Sequence, residues 1–273
     1  NINANFDQNG NIITPDSGTY LDAQATLSLN SAPMVNHKII NDPRQEARVV
    51  QSLSGLLNPS SAISDQYYEG TMYKALGATW FSDQTVIKHV TGSLVNATVL
   101  GAGQTGPTLN VNALGGTLNV GDIVTVAGVN AVNRVTKQDT GELRQFVVTV
   151  AAAAGAVQIN VYPSLIPAVG GQAVQYQTVV DSPANGAVIT PYVKPNVTYR
   201  KSFRYAPQMV TMATGDLPLP ANKVVARHKY DNVSMRSITD YLIGTDQEIT
   251  RLDVLFGSLV VRGEWGCVVP DRV

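Results

Sequence analysis

The chain has 273 residues, 44% of them hydrophobic and 14% charged, with a formal net charge of -1. It can therefore bury one large core or two ordinary ones, but it lacks the basic face of a dedicated nucleic-acid binder, and its one cysteine, Cys267, excludes an internal disulfide framework. No run approaches the roughly 18 apolar residues of a membrane span, and the opening NINANFDQNG has neither the basic start nor the apolar centre of a signal peptide.

The first elements read as helices. Residues 19–29 form a helix candidate that closes before Pro33, because proline restricts the residue ahead of it. Asp42-Pro43 starts a second. Asp42 can cap, Pro43 fits the first helical position, and Gln45 and Glu46 favour its positive end. Val49, Val50, Leu53, Leu56 and Leu57 then recur at spacings of three and four, so one face is apolar, and Asn58-Pro59 ends it. A third helix is expected from Ser64 through Tyr67, Tyr68, Met72 and Leu76 to Gly77, weakened by Gly70. Residues 78–81 and 86–90 read as strands.

Residues 91–192 then change in composition, poor in charge and rich in Gly, Val, Thr and Asn. That mixture suits short strands and tight turns better than long helices. In residues 123–128 both faces offer small or β-branched groups, as a barrel strand requires. A partner strand is expected at 144–150, with TKQDTG (136–141) as the turn between them. Further strands are expected at 95–100, 158–161, 174–180 and 187–192. The run 151–156 reads as a flexible connection. About six strands suffice to close a small barrel and remove its edges. Beyond it, residues 224–228, 233–243 and 248–261 read as long strands whose charges predict one covered and one polar face.

Two runs also resemble a known family. GDIVTVAGVNAVNRVTKQDTGELRQFVVTV looks like the inserted β-barrel domain of the major capsid (coat) proteins of short-tailed bacteriophages, and LLNPSSAISDQYYEGTMYKALGATWFSDQTV is similar to the part of those proteins that precedes it. A third block, residues 209–219, matches in style a short helix ending in a polar-Leu-Pro-Leu stretch. In RLDVLFGSLVVRGEWGCVV, Phe256-Gly257 matches the family's aromatic-Gly turn, while Arg262-Gly263-Glu264 departs from its Arg-Pro-Glu motif.

The resemblance implies an α+β Hong Kong phage-type major capsid fold. Residues 1–94 and 193–273 would supply the axial and peripheral domains, and 95–192 the inserted all-β barrel. It implies a structural protein that self-assembles, as hexamers and pentamers, into the icosahedral head around the phage double-stranded DNA. DNA would be held without sequence-specific contacts. Implied partners are a scaffolding protein, a portal and a decoration protein, with assembly in the host bacterial cytoplasm, no membrane and no cofactor. Arg236, Asp240, Glu248, Arg251, Asp253, Arg262 and Glu264 are the candidate subunit contacts. Nothing before Thr19 supplies the family's N-terminal arm, extended loop and spine helix, so the chain reads as lacking its first portion or as a shortened relative. The missing initiator methionine fits a processed or partial product.

Two other classes compete with this reading: a β-rich phage decoration or tail accessory protein, and an enzyme with a barrel as its substrate-binding domain. The sequence announces no chemistry for the latter. Gly101, Gly103 and Gly106 form a literal G-x-G-x-x-G with Asp122 downstream, but no helix pattern follows to face a pyrophosphate. His37, His89, His228 and Cys267 share no metal-ligand spacing. Asp240, Asp246, Glu248 and Asp253, interleaved with Arg236 and Arg251, read as strand charges rather than an acid–base pair. Tyr67, Tyr68, Tyr73, Trp80 and Phe81 read as a packed core rather than a base-stacking platform, and the N-x-S/T triplets at Asn96, Asn196 and Asn232 as chance.

Overall fold

The computed structural model describes residues 1–52 and 72–273. Leu53, Leu56, Leu57, the Asn58-Pro59 stop and the Ser64–Tyr68 helix start lie outside the described residues. The chain divides into two compact units, Asn1–Pro207 with Glu264–Val273, and Gln208–Gly263. It is mostly β, with two α-helices among the described residues.

In the first unit, α1 (Ser17–Leu29) forms because Asp16 accepts from Thr19 N at 2.8 Å and Thr19 Oγ1 at 2.7 Å, satisfying a donor that a first turn leaves orphaned. β1 (His37–Asn41) follows. α2 (Pro43–Ser52) starts where expected, with Asp42 Oδ1 accepting from Arg44 N at 3.0 Å. β2 (Lys74–Ala75) and β3 (Ala78–Ser82) then make a tight hairpin. This corrects the end of the third helix, expected through Met72 and Leu76. Leu76 and Gly77 take φ of 50° and 71°, left-handed values that no α-helix passes through. The expected aromatic cluster also divides. Trp80 is buried against Tyr20, with ring centroids 4.7 Å apart, whereas Tyr73 is exposed and Phe81 lies beneath the Lys38 ammonium.

After β4 (Lys88–Val90) come six barrel strands: β5 (Ala97–Thr98), β6 (Gly106–Asn110), β7 (Ile123–Val132), β8 (Asp139–Val148), β9 (Gln158–Leu165) and β10 (Val188–Pro191). They pair in the order β5-β10-β7-β8-β9-β6. The Val99–Val111 bridge, with Leu100 N donating to Asn110 O at 3.0 Å and Asn112 N to Thr98 O at 2.9 Å, joins the two ends. The sheet is thus closed, and no edge remains. Val124, Val126, Phe146, Val148, Ile159 and Ile189 fill its interior.

Three expectations change here. Residues 174–180 are not a strand. Thr178 Oγ1 donates to Ser164 O and accepts from Ile166 N, and backbone pairing adds Thr178 N to Ile166 O and a single Ala131–Val179 bridge, so no ladder forms. The sixth strand is β6, whose Pro107 sits at a register shift where no ladder donor is needed. The β7–β8 turn falls at residues 133–138, where Asn133 Oδ1 accepts from Val135 N and Thr136 N, and Gly141 lies within β8. The run 151–156 connects strands as expected, but it is tied to its neighbours. Ala152 and Leu118 exchange two backbone bonds, and Gly155 N donates to Leu114 O.

β11 (Thr198–Tyr205) and β16 (Gly266–Arg272) complete a second six-stranded sheet, ordered β16-β11-β1-β3-β2 with β4 also on β11. α1 buries Tyr20, Ala23 and Leu27 in the same core as Ile39 and Trp80. Between this core and the barrel lies a small apolar cluster of Ile2, Ile12, Ile123, Val193 and Tyr199.

The chain enters and leaves the barrel side by side. Thr91 N donates to Val197 O at 2.9 Å and Asn196 N to Gly92 O at 3.0 Å, while Thr91 Oγ1 accepts from Val197 N. One buried carboxylate holds this neck. Asp122 Oδ1 lies 2.7 Å from His89 Nε2, and Oδ2 accepts from Gly92 N at 3.0 Å and Asn119 N at 2.8 Å. A side chain at Gly92 would meet Thr117 O at 2.0 Å, so only glycine fits there.

Arg204 is fully buried, and among the described residues no carboxylate pairs with it. Its guanidinium donates to Tyr20 O, Leu76 O and Gln24 Oε1, and desolvation lowers its pKa to about 10. His37 Nε2 lies 2.7 Å from Pro33 O and must donate there, which leaves the Nδ1 lone pair facing Arg204 Nη2 at 3.5 Å. Burial, with the Arg204 charge adding to it, pushes the His37 pKa below its usual value.

Two outcomes are expected. Asp122→Ala strands three buried partners and should lower unfolding stability by about 3 kcal/mol in chemical denaturation. For His37 the folded-state pKa lies below the unfolded value of 6.5, so the stability carried by its neutral ring is complete above that value and is lost as pH falls through it. Denaturation midpoints should therefore drop from about pH 7.5 to about pH 5.5, and the drop should shrink in His37→Gln.

Candidate assembly surface

The second unit is built from β12 (Val210–Gly215), β13 (Val224–Tyr230), β14 (Val233–Leu242) and β15 (Gln247–Val260), antiparallel in the order β12-β15-β14-β13. The last three occupy the segments in which strands were expected. Two finer expectations do not survive. Within residues 209–219, Val210–Gly215 form a strand after a single 3-10 turn, Pro207–Met209, rather than a short helix. Phe256 and Gly257 lie inside β15, paired with Thr214 and Ala213, rather than at a turn.

Register and two-residue alternation assign every side chain to a face. On one face stand Val210 and Met212 of β12, Leu252, Val254, Phe256 and Val260 of β15, Met235 of β14, and Val224, His228 and Tyr230 of β13. Its only carboxylate is Glu248, opposite Tyr241 near the far end of β15. Leu252 is 65% exposed, Phe256 64%, Met212 61% and Val260 56%. Thr214, Ser237, Thr239, Thr250 and Ser258 stand among them, and so much exposed apolar surface on one face marks an interaction surface.

The opposite face carries the charges. Arg236 Nε and Nη2 bond Asp253 Oδ2, Arg251 Nε reaches Asp253 Oδ1 at 2.8 Å, Lys223 pairs with Asp240, and Arg227 Nη1 lies 3.4 Å from Asp216. The two guanidinium groups hold the Asp253 carboxyl below the usual carboxylate range. Leu255, Leu259 and Ile249 also stand exposed on this face, so the two faces divide by charge, and the covered face that the sequence predicted is uncovered in the single chain.

Of the seven expected contact residues, Arg236, Arg251 and Asp253 come together in one cluster, and Asp240 pairs separately with Lys223. Glu248 and Arg262 are exposed. Glu264 belongs to the first unit, where it is paired with Arg134. Sequence reasoning missed the apolar residues themselves, although the alternation of Leu252, Val254 and Phe256 was visible.

The remaining chemical candidates do not converge. Gly101 and Gly103 sit in a loop and Gly106 opens β6, a strand rather than a helix. His37 and His89 are buried in separate hydrogen bonds, while His228 is exposed on β13. Asp246 accepts from Tyr241 OH. Among the described residues, no group of three His, Cys, Asp or Glu side chains is placed to hold a metal, and no helix is long and apolar enough to cross a membrane.

Comparison with known proteins adds family information. A family model described as "P22 coat protein - gene protein 5" matches residues 39–269. Among solved structures the chain is similar to the CUS-3 coat protein I-domain, with 28% identity over 36% of this chain and 94% of that one, at a TM-score of 0.28. No curated protein matches the sequence.

Proposed function

Because the chain belongs to the P22 coat protein family and is a structural capsid protein, we propose that its sparsely charged sheet face is a contact through which copies of the chain assemble into the virion shell. The observation that carries this is the face of β12–β15 on which Met212, Leu252, Phe256 and Val260 are left uncovered in the single chain. Covering each Leu, Val, Phe or Met side chain there contributes about 1.5–3 kcal/mol, enough over several residues to offset the entropy of association.

In this reading residues 1–94 and 193–273 form the axial and peripheral body of a Hong Kong phage-type subunit, and 95–192 is an inserted barrel. The paired neck at Thr91–Gly92 and Asn196–Val197 and the separate barrel core support that division. Subunits group as hexamers and pentamers around packaged double-stranded DNA, which a chain of net charge -1 confines without a basic groove. Scaffolding, portal and decoration proteins are the expected partners, and shells assemble in the bacterial cytoplasm. Glu248 and Arg262 take the rim of the contact, where charge sets register more than affinity. The family assignment favours neither an accessory protein nor an enzyme.

Leu252→Asp tests the reading by placing a charge at the centre of the face. Shell yield, measured by sedimentation and electron microscopy, should fall at least about tenfold, since burying one unpaired charge costs several kcal/mol. Lys229→Ala, on the charged face, should leave it within about twofold. Normal shells from Leu252→Asp would overturn the assignment of this face.

A further inference from the structure

Arg144 is a buried charged side chain of the first unit that the ion pairs among the described residues leave unpartnered. It lies on β8, only 6% exposed, and its Nε has no hydrogen-bond partner. No salt bridge reaches it among the described residues. Glu264, the carboxylate closest in effect, is committed to Arg134, so two guanidinium groups share one negative charge. Burial and the Arg134 charge both act against the Arg144 cation, lowering its pKa from the ordinary arginine value. A buried charge in this state is costly unless something pairs with it.

The space for a partner adjoins it. Arg144 lines an open cavity of about 80 Å³ between the end of α1, the N-terminal segment and strands β7 and β8, walled by Asn3, Asn30, Thr140 and Gln145 among others. One water needs about 10–15 Å³ on this scale, so the cavity admits a group of four or five heavy atoms. Glu142 is also on the wall, but it is exposed and makes no bond to Arg144.

We infer that this cavity is an oxyanion site, in which a carboxylate or phosphate sits against the Arg144 guanidinium. The planar fork offers two parallel N–H donors to either group, the geometry in which arginine binds oxyanions most strongly. The ion supplies the charge that Glu264 cannot, and it ties the barrel hairpin to α1. Two sources share this chemistry: a free inorganic ion, or an acidic side chain of a neighbouring copy. The second rests on the capsid reading, whereas the first does not.

The test titrates the full chain with inorganic phosphate at constant ionic strength, using chloride as the control. Dissociated subunits should show a saturable rise in melting temperature and a saturable shift of the phosphate ³¹P resonance. Both should vanish in Arg144→Met, and Arg144→Lys, which keeps the charge but loses the fork, should bind roughly tenfold more weakly. If Arg144→Met does not fold, the wild-type titration and Arg144→Lys decide the matter. Saturation in dissociated subunits but not in shells identifies a neighbour's carboxylate as the natural occupant, and saturation in both identifies a free ion. No saturable response from the wild-type subunit, or an equal response from the Arg144 variants, overturns the site. These readouts on dissociated subunits are independent of whether shells form.

Discussion

The molecule depends on an imbalance that a single chain does not resolve: an antiparallel sheet with a complete backbone ladder and one uncovered apolar face. Register across β12, β15, β14 and β13 is continuous, so the backbone is satisfied. Yet the side chains of Met212, Leu252, Phe256 and Val260 remain mostly in water. Backbone hydrogen bonds contribute little net stability because the unfolded chain bonds to water instead. A sheet without a covered face therefore gains little by folding alone. Its order is linked to whatever covers it, and that linkage makes its stability depend on protein concentration.

The first unit has the opposite character. Its barrel closes through Val99 and Val111, its second core seats α1 on the sheet, and Asp122 joins the two by satisfying three groups at the neck. A structural subunit benefits from this arrangement. A body that is stable before assembly need not fold as copies associate, whereas the order of the second unit's sheet is linked to its covering. Arg200 shows how the body tolerates buried charge, lying between Asp42 and Asp271, with Arg48 on the far side of Asp271. Removing Asp42 or Asp271 would leave the buried Arg200 with one carboxylate in place of two, a more severe defect than the loss of an exposed pair.

Much of this was legible in the residues. Alternation marked β13, β14 and β15 to within two residues, and the cap chemistry of Asp42-Pro43 placed the start of α2. β11 was not legible. TYRKSFRY carries charges that read as surface, and only the fold supplies the carbonyls around Arg204 and the carboxylates around Arg200 that let both be buried. The exchange of residues 174–180 for β6 has a similar cause. QYQTVV has the composition of a strand, but Thr178 bonds the backbone near Ile166, while the glycine-led GPTLN has no strong propensity and is held by its partner β9. The Arg144 site left no local signal, because its cavity is made by three segments distant in sequence.

The placement of charge explains how such a surface can coexist with solubility. Two-residue alternation puts Arg227, Arg236, Asp240, Arg251 and Asp253 on one side of the sheet, where their ion pairs leave little net field. The apolar side is therefore not opposed by long-range repulsion when two copies approach, nor is it steered by attraction. Association through it is governed by burial of surface. It strengthens with warming over the physiological range and responds weakly to salt, in contrast to a contact built on exposed ion pairs, which salt screens. In the proposed contact, the role left to charge is to select among geometries that burial alone would leave equivalent.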